Sequence, residues 1–310
     1  MSDHLHGLVP RSARWGDELH AFAAEVGESG PVTCVGGRTH WQVGGEVDGR
    51  AAEVQAPSGV VEFEPAEMIV RVGAATPVTE LHAAIAPANQ FTILPELSGA
   101  TVGGVLAVGH SDLHRLGYGP LRDALLEAII ADHRGTLVAG GGPVVKNVTG
   151  FDLCRLLVGS VGTLGFMGQV VVRTLPRPET SRWMAGPGDP QTLYTQLLTA
   201  TSVLWDGTTT WIGLAGRHSD VDAESQLAAG AGLSPAEGPP PLPDHRWSID
   251  PATVPRLTGE FVAEIGVGVV HRPEPQPPRP VPPRVEVINK RIKTLFDPDG
   301  RLNPGRRVLG

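Results

Sequence analysis

The sequence predicts a compact globular chain of mixed helix and strand with many loops. It divides into a main domain of about 178 residues, a smaller second domain and a tail able to return to the first. Three observations predict this. Gly (40) and Pro (29) together make up about 22% of the 310 residues, against about 12% in average sequences, which favours turns over long helices. Charged residues are 19% and apolar residues 41%, a balance that excludes a coiled coil and a disordered chain. Composition changes twice, at Leu175-Pro-Arg-Pro178 and at the run 273–283. That run holds seven prolines in eleven positions and reads as an extended linker.

Residues 15–26 place Trp15, Leu19, Phe22, Ala23 and Val26 on one face of an amphipathic helix. Pro31–Val35 reads as a short buried strand, broken by Gly36-Gly37. Val60–Phe63 and Met68–Val72 read as paired strands around Glu64–Glu67. Thr76-Pro77 supplies an N-cap and a first-turn proline for a helix to about Ala86. Leu125–Ala131 and Thr136–Ala139 form a hairpin at Asp132–Gly135. Asp152 caps a short helix ended by Gly159, and Phe166–Thr174 returns as a strand. Ser181 to about Val270 is weakly patterned. Val285–Phe296 repeats apolar residues at helical spacing until Asp297-Pro-Asp-Gly300 stops it.

The net charge of −8 argues against nucleic-acid binding through a basic surface. Cys34 and Cys154 are too few for an iron–sulfur cluster or a four-cysteine zinc site, and read as buried free thiols of a reducing compartment. Met1–Arg11 lacks an apolar core, so no signal peptide is expected. The longest uncharged stretch, Leu156–Val172, contains four glycines and falls short of the ~20 residues of a transmembrane helix.

Three glycine segments stand out: Gly36–Thr39, Gly99–Gly104 and Gly159–Gly165. Glycine lets the backbone approach an anion and turn its N–H groups toward it. None is a Rossmann or Walker pattern. Together they favour a dinucleotide embedded across loops.

The run Gly99–Ala107 followed by Arg115–Asp123 resembles the FAD-binding oxidases of the vanillyl-alcohol-oxidase (VAO, or PCMH) type. Val145-Lys-Asn-Val-Thr-Gly-Phe-Asp-Leu153, with Gly159–Gly165, is similar to the FAD-binding E subunit of bacterial glycolate oxidase. Phe296–Arg306 resembles that family's C-terminal Asp-Pro…Asn-Pro-Gly-Arg ending. The resemblance implies an α+β fold: an FAD-binding PCMH/VAO-type domain of two α/β subdomains over 1–178, and a small α+β second domain with its Pro-rich linker over 179–284. The tail, 285–310, would return to the FAD domain. It further implies that Gly36, Gly37, Arg38 and Thr39 form a pyrophosphate loop, and that Gly99, Ala100, Thr101, Gly103 and Gly104 form a second flavin-contacting turn. Gly162, Gly165 and Phe166 would meet the adenine side, with Asn303 near the flavin. Arg38 stands where several relatives carry a tethering histidine and His40 sits two residues late, so FAD is expected to be non-covalent.

The chemistry implied is hydride transfer from the α-carbon of a small 2-hydroxy acid to the flavin, with a base for the hydroxyl and a cation for the carboxylate. Arg115 and Lys146 are the candidate cations, or else solvated loop charges or phosphate contacts; Tyr118 donates to substrate or packs on the ring. His110, His114 and His133 read as surface residues in turns. Substrate-oxidising relatives carry a His-x-Gly-Asp-Gly-Asn-type motif, whereas Glu264–His271 here offers one histidine and no acidic partner at ligand spacing. No metal is expected, and the second domain looks short for a full substrate cap. The leading reading is the FAD subunit of a glycolate-oxidase-like complex, with D-type and iron–sulfur partner subunits. It would be cytoplasmic, or peripheral at the inner membrane through those partners. The alternative is a non-catalytic FAD-holding or electron-relay subunit. A non-flavin nucleotide-binding domain would require all these segments to coincide by chance.

Overall fold

The computed structural model describes residues 15–142, 152–278 and 280–307. Helix α1 (Asp17–Val26) buries Leu19, Phe22, Ala23 and Val26, at about 1.5–3 kcal/mol for each large side chain removed from water. Gly168 lies under it so closely that a Cβ there would come within 2.7 Å of Leu19. Strands β1 (Val32–Cys34) and β2 (Ala52–Val54) pair in parallel. Strands β3 (Val60–Glu64) and β4 (Ile69–Gly73) pair antiparallel, with a register shift after Val60.

Helix α2 (Val78–Ile85) starts one residue later than the sequence predicts, with Pro77 at the N-cap. Thr76 is not the cap: its hydroxyl donates to Gly73 O at 2.7 Å and accepts from Gly59 N–H at 2.7 Å, tying β4 to the loop before β3. Strand β5 (Gln90–Phe91), helix α3 (Val102–Val108) and the single turn α4 (Arg115–Tyr118) come next. Strands β6 (Leu125–Ala131) and β7 (Leu137–Gly141) form the expected hairpin, with Asp132 Oδ1 accepting from the Arg134 and Thr136 N–H groups. Helix α5 (Leu153–Leu157) is capped by Asp152, which accepts from Arg155 N–H. Strand β8 (Phe166–Arg173) then enters the middle of a five-stranded sheet of order β3-β4-β8-β6-β7, and β9 (Leu175–Pro176) pairs with β5.

The weakly patterned stretch is a sheet. Strands β10 (Thr180–Gly186), β11 (Ala200–Trp205), β12 (Thr210–Gly216), β13 (Ser234–Ala236), β14 (His245–Ser248), β15 (Val262–Glu264) and β16 (Val269–Arg272) form seven strands of order β13-β10-β12-β11-β15-β16-β14. Helices α6 (Pro190–Gln196) and α7 (His218–Gly230) pack on one face. Met184, Val203, Ile212, Ala263 and Val270 fill that side as a second core, separate from the one under α1 to α3. These strands escape the sequence because several are only three or four residues long and the opposite face carries polar residues.

The α4 turn joins the two bodies. Leu116 packs on the second core while Tyr118 packs on the first. Ser202 donates to Leu113 O at 2.7 Å, and His114 Nδ1 lies 3.0 Å from the Thr201 hydroxyl. Helix α8 (Pro283–Phe296) ends at Asp297. The chain then runs beside β1, where Val32 N–H donates to Arg301 O and Asn303 N–H donates to Val32 O, both at 2.9 Å. Among the described residues no helix is long and apolar enough to cross a membrane.

Candidate functional site

A cleft opens between the end of β1, the start of α3, the turn before β8 and the tail. Eleven of the residues singled out for cofactor binding line it: Gly36, Gly37, Arg38, Thr39, Thr101, Gly103, Gly104, Gly162, Gly165, Phe166 and Asn303. Gly99 and Ala100 do not. Ala100 is buried, its carbonyl accepting from Val78 N–H, and Gly99 O is pressed against Gly37.

The loop Gly36–Thr39 is built for close contact. A Cβ on Gly37 would come within 1.5 Å of Gly99 O, and one on Gly36 within 2.3 Å of the Thr101 hydroxyl. Among the described residues nothing accepts a hydrogen bond from the N–H groups of Gly36, Gly37, Arg38 or Thr39. Four consecutive free donors beside a cleft form an anion cradle. Ala56, Ala74, Ala75, Ala107, Val108 and Met167 supply apolar walls for a flat ring.

Asn303 works through the backbone. It adopts a left-handed conformation, φ 45°, and its amide donates to Val161 O at 2.6 Å while its carbonyl accepts from the Thr33 hydroxyl at 2.6 Å. It thereby fixes the Val161-Gly162 turn, where Gly162 has φ +70° and a Cβ would meet the Asn303 amide at 2.5 Å. Arg38, also left-handed at φ 55°, bonds both oxygens of Glu53 at 2.7 Å and stacks on Trp41. Arg306 covers the Trp41 ring too, and donates to the carbonyls of Trp41 and Val43. The tail therefore closes one rim of the cleft.

Of the three candidate catalytic residues, neither of the two described lines the cleft. Lys146 lies outside the described residues. Tyr118 stacks edge-on with Phe91, 5.2 Å between centroids. Arg115 sits near enough to Arg246 to oppose its charge. Arg246 belongs to a polar group that the sequence did not disclose. It begins at His40, whose ring meets that of His110 edge-on at 5.8 Å. Beyond it lie Asp112, Arg246, Glu264 and His271. His271 Nε2 donates to Glu264 Oε1 at 2.9 Å, an acidic partner outside the ligand spacing that the sequence was searched for. Residues seven apart in a strand hairpin match no metal-ligand spacing, but the β15–β16 pairing sets Glu264 opposite Val269, two residues from His271. Among the described residues no group of three His, Cys, Asp or Glu side chains is arranged to hold a metal.

Burial decides the charges here. It raises the Asp112 pKa, against the opposing pull of His114. It lowers that of His40, and lowers that of Arg246 with help from Arg115 and against Glu264. Burial, then the charges of Arg246 and His40, lowers the His110 pKa to about 4. Free histidine titrates near ~6.5, so between about 6.5 and 4 the unfolded chain binds a proton that the folded chain refuses, and stability falls as pH falls through that window. His110→Gln is expected to flatten this loss, read from urea midpoints at pH 7 and 4.5; an unchanged slope would refute it. Both thiols, Cys34 and Cys154, are pushed up to about 12, mainly by burial, and are free.

An FAD binding domain model matches residues 13–141. The chain carries an FAD-binding domain. Over 215 residues it is 29% identical to glycolate oxidase subunit GlcE of Escherichia coli K12, covering 66% of this chain and 61% of that protein. A D-lactate dehydrogenase of Archaeoglobus fulgidus is 34% identical over 171 residues, covering 54% of this chain and 38% of that protein. Glycolate oxidase subunit GlcD of Bacillus subtilis is 40% identical over 85 residues, 27% of this chain and 18% of the other. The chain thus spans less than two thirds of the length of these relatives. Among solved structures, an alkyldihydroxyacetonephosphate synthase superposes with TM-score 0.66 at 13% identity, covering 92% of this chain and 73% of the other, which identifies the fold. The fold is the α+β, VAO-type arrangement that the glycine segments and tail imply.

The cleft fits FAD: the free N–H run takes a pyrophosphate and the apolar wall takes a ring. Bound FAD supplies a two-electron acceptor. Because Arg38 is committed to Glu53 and neither described thiol is reactive, His40 is the remaining nucleophile at the cleft, and its ring is held against His110. Acid precipitation is therefore expected to release all the yellow colour to the supernatant. Colour retained on the pellet would show a covalent bond.

Proposed function

We propose that this chain is the FAD-binding subunit of a glycolate-oxidase-like complex, in which a small 2-hydroxy acid is oxidised and the electrons pass to partner subunits. The observation that carries this reading is the placement of Arg246. Its side chain is 19% exposed, its guanidinium lies 3.9 Å from Glu264 Oε1, and it has no hydrogen-bond acceptor among the described residues. A half-buried arginine with unused donors suits a planar carboxylate. Its charge reaches His110, whose ring meets that of the cleft-lining His40. Likeness to glycolate oxidase subunits supports the same substrate class. The two free cysteines supply no electron-carrying cluster, so the relay belongs to partners, and we place the complex in the cytoplasm or at the inner-membrane surface.

The test is anaerobic. The purified chain is expected to bind FAD yet bleach slowly or not at all with glycolate or D-lactate. Co-expression with a GlcD-like subunit and an iron–sulfur subunit is expected to give glycolate-dependent dye reduction. Rapid stoichiometric bleaching of the lone chain would overturn partner dependence. A flavin that no 2-hydroxy acid reduces even in the complex would favour the electron-relay alternative.

A further inference from the structure

We propose that the outer face of α8 is where a partner subunit docks, through a groove with an apolar floor and an acidic rim. The proposal rests on the functional reading above and names the surface on which that complex assembles. Arg284, Val287, Ile288, Arg291 and Leu295 are spaced at i, i+3, i+4, i+7 and i+11, so they fall on one face of the helix. Val287 is 57% exposed, Ile288 53% and Leu295 77%, three of the eight large apolar side chains exposed among the described residues. Single exposed apolar residues are ordinary, but several on one helix face mark a surface that another molecule covers. The fold does not call for them. The opposite side holds α8 in place: Ile292 and Phe296 pack on the first core, and Lys293 Nζ donates to Thr163 O at 2.8 Å and to Asp297 at 2.5 Å.

Charge selects the occupant. The chain is acidic overall, with a net charge of −8, yet residues 283–307 hold seven Lys or Arg against three Asp or Glu. Arg284 and Arg291 are exposed, and neither has a hydrogen bond or ion pair among the described residues. A helix that lies in a partner's groove is read through anchors at these spacings. Ile288 and Leu295 enter the apolar floor, and Arg284 and Arg291 meet carboxylates on the rim, which a guanidinium can bind through two parallel hydrogen bonds. A bilayer fits less well. Its anionic surface attracts α8 but repels the acidic remainder of the chain, and three aliphatic side chains with no aromatic residue on this face are a small anchor. The flank of α8 adds room for a partner, because a second cleft lined by Leu156, Leu164, Ile292, Lys290 and Arg307 runs along it. Arg306 lines both that cleft and the cofactor cleft, so a partner seated on α8 stands close to the flavin site.

The test uses the full chain, affinity-tagged and co-expressed with a GlcD-like subunit and an iron–sulfur subunit. The parent chain is expected to retain a partner subunit, less of it as salt is raised, because the rim contacts are screened. Ile288→Glu with Leu295→Glu is expected to lower the retained partner about tenfold or more, the scale of losing anchor residues. Arg284→Glu with Arg291→Glu is expected to do the same with the apolar stripe intact. All four residues are exposed, so the lone variants are expected to keep the parent's FAD content and thermal midpoint. Leu198→Glu, at a 92% exposed position of the second body, is the control and is expected to retain the partner. Retention at the parent level in both double variants would overturn the assignment and leave the functional reading standing. A parent chain that retains neither subunit would overturn both. Retention through α8 without glycolate-dependent dye reduction would remove the substrate reading and keep this one. Light scattering and vesicle sedimentation test the other occupants with the lone chain. Dimerisation, or binding to phosphatidylglycerol vesicles, that Ile288→Glu with Leu295→Glu abolishes would give the face to a second copy or to a membrane and overturn the proposal.

Discussion

Gly37→Val is expected to give a chain that takes up no FAD. The Cβ of any L-residue at position 37 would lie 1.5 Å from Gly99 O and 2.6 Å from its carbonyl carbon, distances that only a backbone shift relieves. That shift moves the two loops that frame the cleft and turns aside the free N–H groups of Gly36 to Thr39. A pyrophosphate held by several backbone donors loses about 1.5–3 kcal/mol with each charged hydrogen bond removed, so two lost donors weaken FAD binding by two orders of magnitude or more. Gly49→Val is the control, because nothing lies within 4 Å of a Cβ there. The readings are flavin absorbance after incubation with excess FAD and the thermal midpoint of the apo chain. An apo midpoint within a few degrees of the parent separates cofactor loss from misfolding. Full occupancy in Gly37→Val would show that this loop does not hold the cofactor.

The flavin domain was largely legible in the sequence, and the second body was not. Glycine marks places where backbone meets backbone, and the packing of Gly37 on Gly99 and Gly162 on Asn303 leaves a trace that needs no periodicity. The helices α1 and α8 advertise themselves through apolar spacing. Strands such as Val262–Glu264 and Val269–Arg272 are too short to show alternation, and the polar residues on their inner face look like solvent-facing ones. The Glu264–His271 pair was invisible for a related reason: a hairpin joins residues whose separation matches no ligand spacing. Arg246 carries no local signal at all. Its importance comes from what Asp112, His110 and Arg115 place opposite it.

Arg301→Met is expected to cost about 3–5 kcal/mol of stability, the range for removing one partner of a buried charged network, and to release FAD with it. Arg301 is 5% exposed, and its guanidinium gives all five N–H donors to carbonyls: Gly30, Gly27, His133, Val26 and Ser29, at 2.5–2.9 Å. Two of these acceptors end α1, where the helix dipole concentrates negative potential and favours a cation. Methionine fills much of the volume and leaves five carbonyls without this donor. In a domain stable by about 5–15 kcal/mol that loss is a large fraction, equivalent to roughly 10 °C in thermal midpoint. The effect reaches the cleft because Arg301 O accepts from Val32 N–H, Leu302 bridges to the same residue, and Asn303 then holds the Val161 turn. Loosening the first link frees the last. Arg301→Lys, with three donors on one atom, should fall between the two, because an ammonium cannot span carbonyls drawn from α1, its following loop and the β6–β7 turn. Urea unfolding with and without excess FAD separates the two losses: the apo chains report the network, and the FAD-dependent increment reports the cleft. An Arg301→Met chain within 1 kcal/mol of the parent, or one that binds FAD as tightly, would show that the tail is anchored elsewhere.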